Sequence, residues 1–210
     1  MSVRPYLLGP DDGEAYWFLG NLCTLKAGGR HTRDRLTVAE FVNPPGFAPP
    51  LHRHQVEDEM FYLLSGTARF HCDGDTLTAG PGDFVLLPVG LAHTFVVGPD
   101  EPLRALQITT PAGFERFAAE AGVPAPHRRL PDPAPVDPAA LGHAAARNGI
   151  ELLGPRRRRE RPARGVPVPA GRVAAARVAC RARVRAPGWR RRAAGRSPRP
   201  PPPGPGAPGR

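Results

Sequence analysis

At 210 residues the chain has room for one domain with extensions, and its net charge of +10 invites a nucleic-acid reading. The distribution of charge argues against that: residues 155–210 hold 17 Arg against one Glu, a charge of +16, which leaves residues 1–154 at −6. A fold this acidic is not a general nucleic-acid binder. No apolar stretch reaches transmembrane length and residues 1–17 lack the apolar core of a leader, so a cytoplasmic protein with no membrane and no specific nucleic-acid partner is expected.

In chain order, runs rich in β-branched and aromatic residues mark strands at 17–25, 36–42, 59–64, 68–72, 83–87, 94–97 and 103–109. Turn signals separate them: Asn43-Pro44-Pro45-Gly46, Ser65-Gly66, Asp73-Gly74-Asp75, Gly80-Pro81-Gly82 and Gly98-Pro99-Asp100. His31 falls in a loop at 28–34, where a surface position is expected. Short strands at regular spacing with no helices between them predict an all-β sandwich or barrel. Two helices follow: one capped by Thr110 with Pro111 in its first position and ending at Gly122, the other running from Asp137-Pro138 to Asn148-Gly149. The Pro-rich stretch 123–136 reads as an extended connector, and 150–153 as a short strand or docking segment. Residues 155–210, almost wholly Arg, Pro, Ala, Gly and Val, cannot bury enough apolar surface to offset the entropy of ordering, so disorder is expected there. The chain thus divides into a β-barrel with the first helix (1–122), a connector with the second helix and docking segment (123–154), and a basic tail (155–210). Cys23 and Cys72 sit in apolar strand-like runs, which suits packing; with Cys180 they make an odd, widely spaced set of reduced thiols.

Chemistry concentrates in two stretches. Gly46 is followed after five residues by His52-Arg53-His54, then by Glu59 and Gly66. Later come Gly82, Pro88-Val89-Gly90 and His93. Side chains at i and i+2 of a strand share a face, so His52 and His54 can both point into a barrel. Glu59 lies an odd number of residues after His54, so a turn or bulge within 55–58 must reset the parity before Glu59, Phe61 and Leu63 face inward. His93, Phe95 and Val97 would face inward on their own strand. A lone His-x-His pair is weak evidence for metal, but three imidazoles and a carboxylate flanked by turn glycines favour it. Such a mixed nitrogen and oxygen set suits Fe, Mn, Ni, Co, Cu or Zn rather than Ca or Mg, and leaves positions open for substrate.

These stretches resemble the two signature motifs of the cupin superfamily: Gly46, His52, His54, Glu59 and Gly66 in the first, Gly82, Pro88, Gly90 and His93 in the second. The second motif's usual closing Asn is replaced by Val97, which bears on the surroundings of the site rather than on its ligands. Tyr6-Leu7-Leu8-Gly9-Pro10, Trp17-Phe18-Leu19-Gly20, Glu57-Asp58-Glu59, Thr109-Thr110-Pro111-Ala112-Gly113-Phe114 and Gly149-Ile150-Glu151-Leu152-Leu153-Gly154-Pro155 further resemble bacterial single-domain cupins related to quercetin 2,3-dioxygenase, over about residues 5 to 155. The resemblance implies a cupin barrel (a double-stranded β-helix, or jelly roll) holding one divalent metal on His52, His54, Glu59 and His93. By family spacing Glu59 is the ligand, while Glu57 and Asp58 are solvated loop carboxylates. It further implies a quercetinase-like dioxygenase acting on a small aromatic or enolisable substrate, with Glu59 as ligand and general base. Phe61, Phe95 and Phe47 are the candidate substrate pocket, against the alternative that they are ordinary barrel filling. A homodimer is implied as well. An isomerase or cyclase using the same ligands and a non-catalytic small-molecule-binding barrel are the competing readings. His71, His127 and His143 are expected at the surface.

Overall fold

The computed structural model describes residues 4–154. Two antiparallel sheets face each other. The larger is ordered β11 (Val123–Pro124), β1 (Glu14–Phe18), β2 (Asn21–Ala27), β3 (Thr37–Asn43), β10 (Leu103–Thr110), β5 (Asp58–Ser65), β8 (Phe84–Leu87). The smaller is ordered β12 (Ile150–Gly154), β4 (Leu51–His54), β9 (His93–Val97), β6 (Ala68–Cys72), β7 (Asp75–Ala79). This is the all-β sandwich expected from the strand pattern, with the jelly-roll architecture that the resemblance implies. Alternation makes β3 two-faced: Thr37, Ala39, Phe41 and Asn43 are buried while the residues between them are half-exposed.

The interior has two parts. Phe61, Leu63, Val85, Leu87 and Leu103 of the larger sheet pack against Ala68, Phe70, Phe95 and Val97 of the smaller. Under β2 and β3, Phe18, Cys23 and Phe41 instead meet Phe114 and Phe117 of α2 (Phe114–Ala121) and Leu141 of α3 (Pro138–Arg147), with Ile150 of β12 beside them. The two helices thus close one side of the sandwich, and β12 joins the small sheet by pairing Ile150 with His54 and Leu152 with His52.

Several local expectations need correction. The single run at 17–25 is a hairpin, because Leu19 (φ +52°) and Gly20 (φ +82°) turn the chain back between β1 and β2. The polar strand β7 was not anticipated: its Asp and Thr residues form an exposed edge with little apolar signal. Residues 28–34 contain a helical turn, α1 (Gly29–Thr32), in which His31 is half-buried and its Nδ1 accepts from the Gly28 N–H at 3.2 Å. Thr110 does not cap the first helix. It is the last residue of β10, level with Asp58, and its hydroxyl donates to Arg35 O at 2.8 Å; Gly113 takes the capping position. The second helix starts where Asp137 and Pro138 place it, with Asp137 Oδ1 accepting from the Ala139 N–H at 2.9 Å. Cys23 and Cys72 are buried free thiols, and burial pushes the Cys23 thiol far up. The disorder expected of 155–210, and Cys180 with it, lie outside the described residues. Among the described residues no helix is long and apolar enough to cross a membrane.

Candidate metal centre

His52 and His54 lie two residues apart on β4 and share its inner face; His93 pairs directly with His52 across β4 and β9. Strand β4 ends at His54 and β5 begins at Asp58, so the chain bends between them and Glu59 enters the same interior from the opposite sheet. One donor atom from each of the four residues falls within 4.8 Å of all the others. His93 Nε2 stands 3.1 Å from Glu59 Oε2, and His54 Nε2 stands 3.8 Å from Glu59 Oε1.

The donor set fits a transition metal for a reason visible behind the rings. Every imidazole is tied through Nδ1: His52 to Pro50 O at 2.8 Å, His54 to Glu57 Oε2 at 2.8 Å and His93 to Leu91 O at 2.9 Å. Carbonyls and carboxylates only accept, so each Nδ1 carries the proton and each Nε2 keeps its lone pair for the centre. His93 Nε2 is buried without a hydrogen-bond partner among the described residues: with the proton on Nδ1, it and the nearby Glu59 Oε2 are both acceptors. On the other side Gln107 Nε2 donates to Glu59 Oε1 at 2.8 Å, which orients the carboxylate and leaves Oε2 turned to the histidines.

Charge follows the same plan. Burial, helped by the charge His93 would carry, lowers the His52 pKa to about 4, so this ring is neutral near pH 7. Burial alone would raise Glu59, but the surrounding imidazoles outweigh it and hold the carboxyl at about 2. His54 is also opposed by burial, yet Glu59 and Glu57 together raise it.

Residues 39–109 match the cupin domain family. Over 91 residues the chain is 33% identical to quercetin 2,3-dioxygenase of Bacillus subtilis, covering 43% of this chain and 27% of that protein. Over 64 residues it is 34% identical to an oxalate-binding protein of Thermotoga maritima, covering 30% of this chain and 52% of that one. The matches therefore span only about a quarter and about half of those relatives' lengths. Among solved structures, a predicted oxalate decarboxylase from Thermotoga maritima aligns with a TM-score of 0.45 at 21% identity, over 53% of this chain and 99% of that chain. Residues 39–109 are accordingly a cupin domain.

A cavity of about 60 Å³ borders His52, His54 and Glu59. Phe47, Phe61 and Phe95 line it, as do Phe41, Phe114 and Phe117, whereas Phe84 is 58% exposed on the outside. Phe61 and Phe95 also belong to the packed interior, so they serve both as filling and as wall. Asp58 accepts from the Val89 N–H at 2.9 Å and stays out of the cluster. Glu57 corrects the sequence reading: it is no solvated loop carboxylate but a 5% exposed side chain holding His54. Its signal was its position three residues after a histidine, which is too common a spacing to decide anything. Gln107 carried no sequence signal, because its link to Glu59 crosses two strands that lie 48 positions apart in the chain. His127 and His143 are exposed, and His71 is half-buried with Nδ1 3.1 Å from the Thr76 hydroxyl.

Proposed function

We propose that His52, His54, Glu59 and His93 hold one divalent transition metal (Fe, Mn, Ni, Co, Cu or Zn) and that the domain is a metal-dependent oxidoreductase. In the fullest form of this reading it is a quercetinase-like dioxygenase acting on a small aromatic or enolisable substrate. The observation that carries the proposal is the set of three histidines whose Nδ1 atoms are all engaged by acceptors, leaving three Nε2 lone pairs around one ionised carboxylate. The local likeness to the Bacillus quercetin 2,3-dioxygenase supports the reaction class.

Any of these metals would supply Lewis acidity, which acidifies a bound hydroxyl, and all but Zn would also supply one-electron chemistry towards dioxygen. The chain's own contributions are distinct. Glu57, Pro50 O and Leu91 O fix the rings. Gln107 fixes Glu59 so that Oε2 can receive a proton from an incoming, acidified hydroxyl. The Phe61 and Phe95 rings exclude water from the reacting end. A carboxyl held near 2 is a weak base, so this step needs a donor already made acidic.

A cavity of about 60 Å³ is small for a flavonol and favours a second reading, with a compact ligand. It holds a few waters at roughly 10–15 Å³ each and is far below the roughly 300–1,000 Å³ of pockets for drug-sized ligands. A compact ligand that is bound or isomerised without oxygen fits this space without movement, and the local likeness to an oxalate-binding protein points the same way. Oxygen-electrode assays of metal-loaded protein with flavonols and with small enolisable hydroxyketones separate the readings. Oxygen uptake supports the dioxygenase. Turnover that persists under nitrogen supports an isomerase or cyclase. Saturable binding with no turnover supports a binding module.

Two further parts of the reading are proposals. The division at 122 and 154 is one. The homodimer is the other, supported by an outward apolar row in which Tyr62 pairs with Phe84 and Met60 with Leu86 across β5 and β8.

A further inference from the structure

We infer that Asn21 and Asn43 form a second recognition point in the cavity, binding a hydroxyl group that the substrate carries at the end remote from the metal cluster. The inference rests on reading the cavity as a substrate site. Asn21 opens β2 and Asn43 closes β3, one step beyond the Leu22–Val42 pair, so they are neighbours on the inward face. They are 1% and 2% exposed, and both border the cavity that reaches His52 and Glu59. Asn21 Nδ2 donates to Phe18 O at 3.1 Å, which orients the amide and leaves Oδ1 as the free acceptor. That Oδ1 and Asn43 Nδ2 are both buried without a hydrogen-bond partner among the described residues.

Buried polar groups are almost always satisfied, so an orphaned acceptor beside an orphaned donor in a cavity wall points to an occupant. A hydroxyl satisfies both, donating its proton to Oδ1 and accepting from Nδ2. A carboxylate could only accept, and would face the Asn21 oxygen; an ammonium could only donate, and would face the Asn43 N–H. The wall between is aromatic, from Phe18, Phe41 and Phe47. On β10 the residue level with Asn43 is Leu103, four positions from Gln107, which is about 13 Å along a strand before the facing side chains shorten it. The ligand class is therefore a flat enolisable ring with chelating oxygens at one end and a hydroxyl at the other.

Calorimetry on the zinc-loaded full chain under nitrogen tests this with two probes sharing one chelating head. These are kojic acid, a hydroxypyrone bearing a hydroxymethyl group, and allomaltol, the same ring bearing methyl. The native protein should prefer kojic acid by about tenfold, the worth of one well-made hydrogen-bond set. Asn43→Leu should abolish the preference, retain allomaltol binding and melt no lower than native, because an apolar group of the same branched shape, with the cavity beside it to take its larger volume, replaces an unsatisfied amide. Asn21→Leu, which also forfeits the bond to Phe18 O, should abolish the same preference. Equal native affinity for the two pyrones overturns the inference and leaves the metal site standing. So does an Asn43→Leu protein that melts lower yet keeps the preference, since that marks a structural amide. Failure of both pyrones to bind the zinc-loaded chain removes the substrate-site reading itself, and the inference with it.

Discussion

Behind His54 the Glu57 carboxylate does for the site what no ligand can do for itself: it fixes which nitrogen is protonated and which way the ring faces. Residues that orient ligands in this way typically contribute 10- to 100-fold in metal affinity. Glu57→Ala should therefore weaken metal binding by roughly that factor in a chelator competition, with an unchanged far-ultraviolet circular dichroism spectrum. The metal-free protein should also show a specific acid sensitivity. His52, held at about 4 by burial against an ordinary 6.5, binds its proton more readily in the unfolded chain. Its contribution to stability is thus complete above pH 6.5 and is lost as the pH falls towards 4, to the extent of about 3 kcal/mol. Glu59, depressed to about 2, keeps its contribution until the pH passes below about 4.5. His54 runs the other way: its raised pKa stabilises the fold below 6.5, and that stabilisation is lost as the pH rises. Denaturant melts of His52→Asn should lose the slope between pH 6.5 and 4 that the native metal-free chain shows.

At the level of elements, the turn between β5 and β6 depends on Gly66. Its φ is +75°, and a Cβ there would meet Pro102 O at 2.6 Å. Gly66→Ala combines left-handed strain with a backbone clash and should cost about 2–4 kcal/mol, read as a lower Tm by calorimetry. The same elements show where sequence is informative. The His52-x-His54 pair was legible because a strand's period of two puts both rings on one face, and α3 was legible because Asp137-Pro138 is a cap chemistry that few other contexts require. Glu57 and Gln107 were not, because what they do is set by which strands lie side by side. Strand β7 was hidden by its polarity, since an edge strand with four of its five residues exposed needs no apolar face. The β1–β2 turn was hidden because Leu19 takes a positive φ that its side chain does not advertise.

On the scale of the whole molecule, two opposing sheets bring together residues 41 positions apart along the chain, and the helices α2 and α3 close the interior beside them. The outward row of Tyr62, Phe84 and Leu86 is the surface a second copy would cover. Phe84→Glu should shift light-scattering mass from dimer to monomer while leaving metal content intact; a native protein that is already monomeric contradicts the dimer. The account as a whole depends on the cation. Elemental analysis of protein purified without an affinity tag measures this most directly. It should find about one divalent transition metal per chain, lost in His52→Ala and Glu59→Ala proteins that remain folded. A native protein that carries none, and whose Tm does not move when Mn, Fe, Ni or Zn is added, would contradict it.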